Sequence, residues 1–246
     1  NGRLLVLGGD GSASTVNDNN PLAHFANNDG WQDNIADGWV EATICLPDGS
    51  THIAERAWVI VAPPAFVPQM QSLVTLNDLM QEVAKEQGWQ NSSSNEVLFY
   101  RDVFPLLQRT DNFGWVSGMA FRGHGSGKYG SFTDEAHLKV YSDASASSQA
   151  RRQKTFSVLR DPQASDALAS SEDGGNMPLL YGTGGVDENK KPLDWFTVLP
   201  SQYTKMKAWA EGNFTLDNMP APRPLEEYEL DQQPAALDRA ALEYCA

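Results

Sequence analysis

The sequence predicts an α+β fold, a hairpin-rich β-sheet part followed by several helices in a single irregular domain. Three observations predict it. Strand-like runs crowd the first quarter of the chain, helical periodicity recurs only beyond position 75, and the two kinds of element do not alternate as a parallel βαβ sheet requires. At 246 residues, with 41% apolar and 10% aromatic content, the chain is long enough to bury a core in one large domain or two modest ones. No internal repeat is visible and no biased linker marks a boundary, so residues 1–246 read as one domain.

Taken in order, "RLLVLGG" is a short apolar run ended by glycine. "WVEATICL", then Pro47-Asp48-Gly49, then "STHIAERAWVIVAPP" predicts a hairpin. Asp48-Gly49 supplies the turn, and Pro63-Pro64, which cannot donate to a ladder, stops the second strand. "VTLNDLMQEVAKEQG" places Leu76, Leu79, Met80 and Val83 at helical spacing behind a Thr75 cap, with Gly88 as terminator. "EVLFYRDVFPLLQR" is apolar enough to be buried, and Pro105 is expected to bend or end whatever it forms. "SSQARRQKTFSVLRDP" predicts a helix closed by Pro162, and "ASDALASSEDGGNMP" a polar loop. "LPSQYTKMKAWAEGNF" predicts a helix with Tyr203, Met206, Trp209 and Ala210 on one side and Gly212 just past its end. "ALDRAALEYCA" predicts a last helix docked by Leu237, Ala241 and Cys245, which recur in steps of four, with Arg239 and Glu243 on another face.

Composition narrows the function classes. A formal net charge of −14 argues against nucleic acid or an anionic membrane as partner, because both reward clustered Lys and Arg. The one basic cluster, Arg151-Arg152 with Lys154, reads as a solvated helix face. No stretch approaches the roughly 18 apolar residues that cross a bilayer. The compartment, cytoplasmic or secreted, is left open. Two cysteines exclude a disulfide-dense framework, and Cys45, in a strand-like run, reads as a buried free thiol. The histidines His24, His52, His124 and His137 show no ligand spacing, so no metal site is expected.

Three motifs tempt and fail. "VLGGDGSAS" follows a strand, but position 14 is Ser where the dinucleotide fingerprint needs a third Gly or Ala, and no helical period follows. "RGHGSGKYGS" resembles a phosphate loop, yet Arg122 stands in place of its first Gly and Tyr129 in place of its Ser or Thr. It is expected to be a Gly-rich connection with His124 and Lys128 exposed. Asp29, Asp33 and Asp37 lack the alternation and terminal Glu of a calcium loop and read as turns.

Several stretches together carry a resemblance that spans nearly the whole chain. "NGRLLVLGG", "NNDGWQDNIADG", "AWVIVAPPAFVP", "LVTLNDLM", "LPSQYTKMKAWAEGNF" and "LDRAALEYC" resemble, in this order, the cysteine tryptophylquinone-dependent amino-acid oxidases, the L-lysine ε-oxidase and glycine oxidase type of marine bacteria. The resemblance implies oxidative deamination of an amino acid with O2, releasing ammonia and hydrogen peroxide. It implies a cofactor built from the protein, a tryptophan oxidised to a quinone and joined by a thioether to a cysteine, here matched by Cys245. It also implies a flavoprotein maturation partner, and it leaves open a homo-oligomer. The family places an acidic residue needed for cofactor formation close to the cysteine. Position 241, one turn back, is Ala and departs from that pattern; the resemblance carries the acid over to Asp238, the candidate catalytic residue, or to Glu243, and Asp238 lies seven residues and roughly 10 Å along a helix from Cys245, too far for direct contact by a short side chain. Read from the helix alone, Asp238 is a charge at its start and Glu243 an i,i+4 partner of Arg239.

In the family the modified tryptophan follows the cysteine. All seven here, Trp31, Trp39, Trp58, Trp89, Trp115, Trp195 and Trp209, precede Cys245. The chain is therefore expected to be the N-terminal part of a longer oxidase, ending at the cofactor cysteine and inactive alone. The alternative is a non-catalytic β-rich binding or scaffold module of the same family.

Overall fold

Short antiparallel ribbons form where the sequence alternates β-branched and polar residues, and a cluster of helices forms where its period lengthens. The computed structural model describes residues 4–6, 12–16, 22, 30–33, 36–61, 70–89, 96–163, 175–182, 187–189, 192–221 and 223–244. These belong to two compact units, Asn1–Pro68 with Pro222–Cys245, and Gln69–Ala221. The sequence carries no linker that marks this division because the first unit is discontinuous, built from both ends of the chain.

In the first unit, β1 (Ala13–Thr15) pairs with β2 (Trp31–Asp33). The expected long hairpin is present but broken into two ladders. The outer one joins β3 (Ala36–Val40) to β6 (Ala57–Val61), and the inner one joins β4 (Thr43–Cys45) to β5 (Thr51–Ile53). Between the ladders Ala54 N donates to Ala42 O at 2.9 Å, and Glu41 and Arg56 form an ion pair across the gap. The turn is the one its residues predict. Gly49 N donates to Leu46 O at 2.9 Å, Gly49 takes φ +84°, and the Asp48 carboxylate accepts from Ser50 N at 2.9 Å. Cys45 is exposed, not buried: a three-residue, two-stranded ribbon covers neither of its faces, and Ile44 and Ile53 lie open beside it. Leu4 to Val6, the described part of "RLLVLGG", lie outside any strand and are exposed. Pro63-Pro64 and the polar loop at 164–174 lie outside the described residues.

The first unit also holds α7 (Gln233–Tyr244), preceded by a 3-10 turn at Leu225–Glu227. The second unit holds six helices, α1 (Leu76–Glu86), α2 (Phe104–Asn112), α3 (Gly118–His124), α4 (Glu135–Tyr141), α5 (Ala146–Phe156) and α6 (Pro200–Glu211). Its core is aromatic and aliphatic, with Phe99, Val103, Leu107, Tyr141, Met206 and Trp209 at the centre. Pro105 neither bends nor ends an element. It sits in the first turn of α2, where its missing N–H costs nothing, directly after a π-helical turn at Phe99–Val103. Asp102 holds that turn through Leu98 N at 2.8 Å and the Lys205 ammonium at 2.9 Å.

Helix α1 starts as expected, with a Thr75–Asp78 capping box, but it turns the other way. Leu79, Met80 and Val83 are exposed, while Glu82 is buried. Polar partners decide this orientation. Asp78 accepts from the Arg109 guanidinium at 2.6 Å, and Glu82 accepts from Ser201 N at 3.1 Å, in the first turn of α6 where free N–H groups attract a carboxylate. The basic cluster is likewise not a solvated face. Arg152 is 0% exposed, and Arg151 stacks its guanidinium 3.5 Å over the Tyr129 ring.

Helix α5 is preceded by Asp143, whose carboxylate accepts from the hydroxyls of Ser148 at 2.5 Å and Ser145 at 2.7 Å, and from Ser145 N at 2.9 Å. These donors, the Ser148 hydroxyl foremost, hold its pKa well below the ordinary 3.8. A carboxylate depressed in the folded state stabilises the fold above its unfolded pKa and loses that contribution as pH falls. Replacing Asp143 by Asn is therefore expected to flatten the acid limb of stability. The urea midpoint of the variant should fall less than that of the parent between about pH 5 and about pH 2, and an equal fall would refute this assignment.

Candidate functional site

The residues that the resemblance selects lie on α7, in the first unit. Helix α7 packs along β6, and Asp238 provides the fixing contact: its Oδ1 accepts the Trp58 backbone N–H at 2.7 Å. Among the described strands β6 pairs only with β3, so its other edge presents main-chain donors that no described strand meets. The Asp238 carboxylate satisfies one of them. A side-chain pattern gives no signal for Trp58 in this role, because its backbone makes the contact. Its ring lies edge-on to Trp39, its register partner, with centroids 4.7 Å apart.

The expected i,i+4 pair is present, with Arg239 Nε donating to Glu243 Oε1 at 2.7 Å. The expected apolar face is only partly buried. Leu237 is 40% exposed, whereas Asp238, Ala241 and Leu242 are half-buried. The buried side of α7 is thus rotated toward Asp238, because the hydrogen bond to β6 draws that side of the helix inward. Cys245 lies outside the described residues, directly after Tyr244, the last residue of α7.

A thioether-linked quinone needs a cysteine beside an indole in a protected place. Among the described residues the one cysteine is Cys45, exposed on its ribbon. Trp89 and Trp115 are open to solvent, Trp39 and Trp58 pack on each other, and Trp209 is committed to the core of the second unit, its Nε1 donating to Tyr141 O at 2.8 Å. Trp195 lies edge-on to Tyr181, with ring centroids 5.6 Å apart. No group of His, Cys, Asp or Glu among the described residues has the arrangement of a metal site. The phosphate-loop look-alike is structural. Gly127 N donates to Asp134 at 2.7 Å, and His124 is not simply exposed but half-buried, its Nδ1 bonded to Gly130 O at 2.8 Å and its ring packed on Phe132. No described helix is long and apolar enough to cross a membrane.

Comparison with known proteins gives the same direction as the residues quoted above. The family model described as "L-Lysine epsilon oxidase N-terminal" matches residues 1–61, and that described as "L-lysine epsilon oxidase C-terminal domain" matches residues 179–246. The chain is similar to the L-lysine 6-oxidase of Marinomonas mediterranea, 29% identical over 245 aligned residues that cover 87% of this chain and 32% of that protein. Two solved structures of the L-Lys ε-oxidase from the same organism share its fold at 24% identity. One has a TM-score of 0.57 and covers 89% of this chain and 34% of the other; the second has a TM-score of 0.58 and covers 96% and 36%. The chain thus spans about a third of the length of the relatives it matches. With both domain models of one family matched at its two ends, and its fold shared across nearly its whole length, the chain belongs to the L-lysine ε-oxidase family.

Proposed function

We propose that this chain is part of an amino-acid oxidase that deaminates its substrate oxidatively with O2, releasing ammonia and hydrogen peroxide, and that Cys245 provides the sulfur of a cysteine tryptophylquinone. The observation that carries this reading is the anchored helix α7, whose final described residue immediately precedes Cys245. A tryptophylquinone supplies a carbonyl that condenses with an amine and an electron sink for its oxidation. In this reading the tryptophan partner of Cys245 comes from outside this chain, and the isolated chain is inactive. The chain's own contribution is placement. The Asp238–Trp58 bond ties the middle of α7 to β6, and the helix carries that fixed position two turns further to its end. Asp238 is accordingly a positioning residue. The amino-acid substrate and the flavoprotein maturation partner come with the family reading.

The test uses the full-length protein produced with its flavoprotein partner. Quinone absorbance and amino-acid-dependent peroxide are expected, and Cys245→Ala is expected to abolish both. A full quinone spectrum in Cys245→Ala would refute the cysteine assignment. Asp238→Asn keeps an acceptor for Trp58 N and is expected to retain quinone and most of the turnover, whereas Asp238→Ala is expected to lower the quinone yield. If Asp238→Asn formed the quinone fully but lost turnover, Asp238 would be a proton-transfer group instead.

A further inference from the structure

The second unit contains a cavity of about 560 Å³ that neither the family reading nor the core packing accounts for. Well-packed interiors leave few voids larger than a water molecule, and this volume falls in the range of about 300–1,000 Å³ typical of ligand sites. Its floor is buried and apolar, formed by Leu73, Leu107, Phe132, Val198 and Met206 with the fully buried Tyr141. The Tyr141 hydroxyl is already engaged by Arg151 Nε at 3.0 Å and the Thr155 hydroxyl at 3.2 Å, so it does not make the floor polar.

The opening adds positive charge. A residue that lines a cavity and is also exposed sits at its mouth; Met119, Tyr129, Leu179 and Leu180 are of this kind, and so are the cations Arg122, Lys128 and Lys154. Among the described residues no Asp or Glu lines the cavity, although the chain carries 32 acidic residues against 18 Lys and Arg. Among the described residues none of the three cations is ion-paired. Like charges lining one cavity, without an acidic lining residue among those described, repel one another and gain by receiving an anion. An apolar floor beneath a cationic mouth is complementary to one kind of molecule.

We propose that this cavity binds an amphiphile with a single anionic head group and an apolar tail. The tail lies over Leu107, Phe132 and Met206, and the head is held at the mouth by Arg122, Lys128 and Lys154. Arg122 offers a planar pair of donors suited to a carboxylate. The inference rests on the cavity alone and is independent of the oxidase assignment.

Isothermal titration of the 246-residue chain with sodium octanoate and sodium decanoate, both below their micellar concentrations, tests it. Decanoate is expected to bind, and each added methylene to raise affinity about fourfold. Decyltrimethylammonium, with the same tail and the opposite charge, is expected not to bind. The exposed double variant Arg122→Gln/Lys154→Gln, with far-ultraviolet circular dichroism unchanged, is expected to lose at least about tenfold in decanoate affinity, while decan-1-ol binds parent and variant alike. Absence of decanoate binding, equal binding of the ammonium probe, or unchanged decanoate affinity in the double variant would each overturn the proposal.

Discussion

Replacing Trp209 by Ala is expected to destabilise the second unit by about 3–5 kcal/mol. Trp209 is 0% exposed and stands at the junction of α6 with Tyr141, whose ring lies 5.8 Å from its own. Truncation removes the whole indole from between α4, α5 and α6, and surrounding structure relaxes only partly into such a space. It also leaves Tyr141 O without the Nε1 donor at 2.8 Å. Trp209→Phe separates the two parts, since it keeps most of the volume and loses only the donor, for an expected cost of about 1–2 kcal/mol. Urea titration followed by far-ultraviolet circular dichroism reads the difference, because six of the seven described α-helices belong to this unit. Equal stability of the Ala and Phe variants would show that packing around the indole contributes nothing.

Arg152→Met is expected to cost about 3 kcal/mol, although the substitution nearly preserves volume. The Arg152 guanidinium sits in a ring of main-chain carbonyls. Its Nε donates to Trp209 O at 3.0 Å, and its terminal nitrogens donate to Ser145 O at 3.3 and 3.4 Å, to Ala144 O at 3.4 Å and to Asp143 O. These carbonyls lie between α4 and α5 and in the last turn of α6; Trp209 O also accepts Gly212 N at 3.0 Å and Ser145 O also accepts Ser148 N at 3.3 Å, so the guanidinium supplies their second donor. Burial pulls the Arg152 pKa below its ordinary value, opposed by the negative charge of Asp143. Methionine fills the space but donates to none of the acceptors, so the loss is polar. Arg152→Lys, with one ammonium in place of a planar fork, is expected to recover part of it, about 1 kcal/mol. Gly212 belongs to the same arrangement: it takes φ +87°, and a Cβ there would lie 3.0 Å from Ala144 O and 3.1 Å from Arg152 Nη2. If Arg152→Met were as stable as the parent, solvent would be satisfying those carbonyls.

The elements most legible in the sequence were those with local chemistry at both ends. Thr75 and Asp78 mark the start of α1, Gly212 closes α6, and Pro47-Asp48-Gly49 makes its turn, because caps and turns depend on residues within a few positions of one another. Which face an element buries was less legible. Leu79, Met80 and Val83 form a convincing stripe, yet α1 buries Glu82, because Arg109 and the first turn of α6 offer its acids partners that the sequence does not place beside them. The same limit hid Arg152, which is solvated by pattern and buried by carbonyls from both sides of a 57-residue separation.

For the candidate site, the sequence by itself pointed to the family, through motifs spread along the chain, and predicted a last helix that carries Asp238 and leads to Cys245. Only the tertiary structure shows what Asp238 contacts. Its contact is with the backbone of Trp58, 180 residues away, and a main-chain donor has no side-chain signature. Local sequence specifies caps, turns and helical periods because their partners are near neighbours. The partner of a carboxylate, or of a guanidinium, is set by which distant backbone groups the fold leaves without a hydrogen bond.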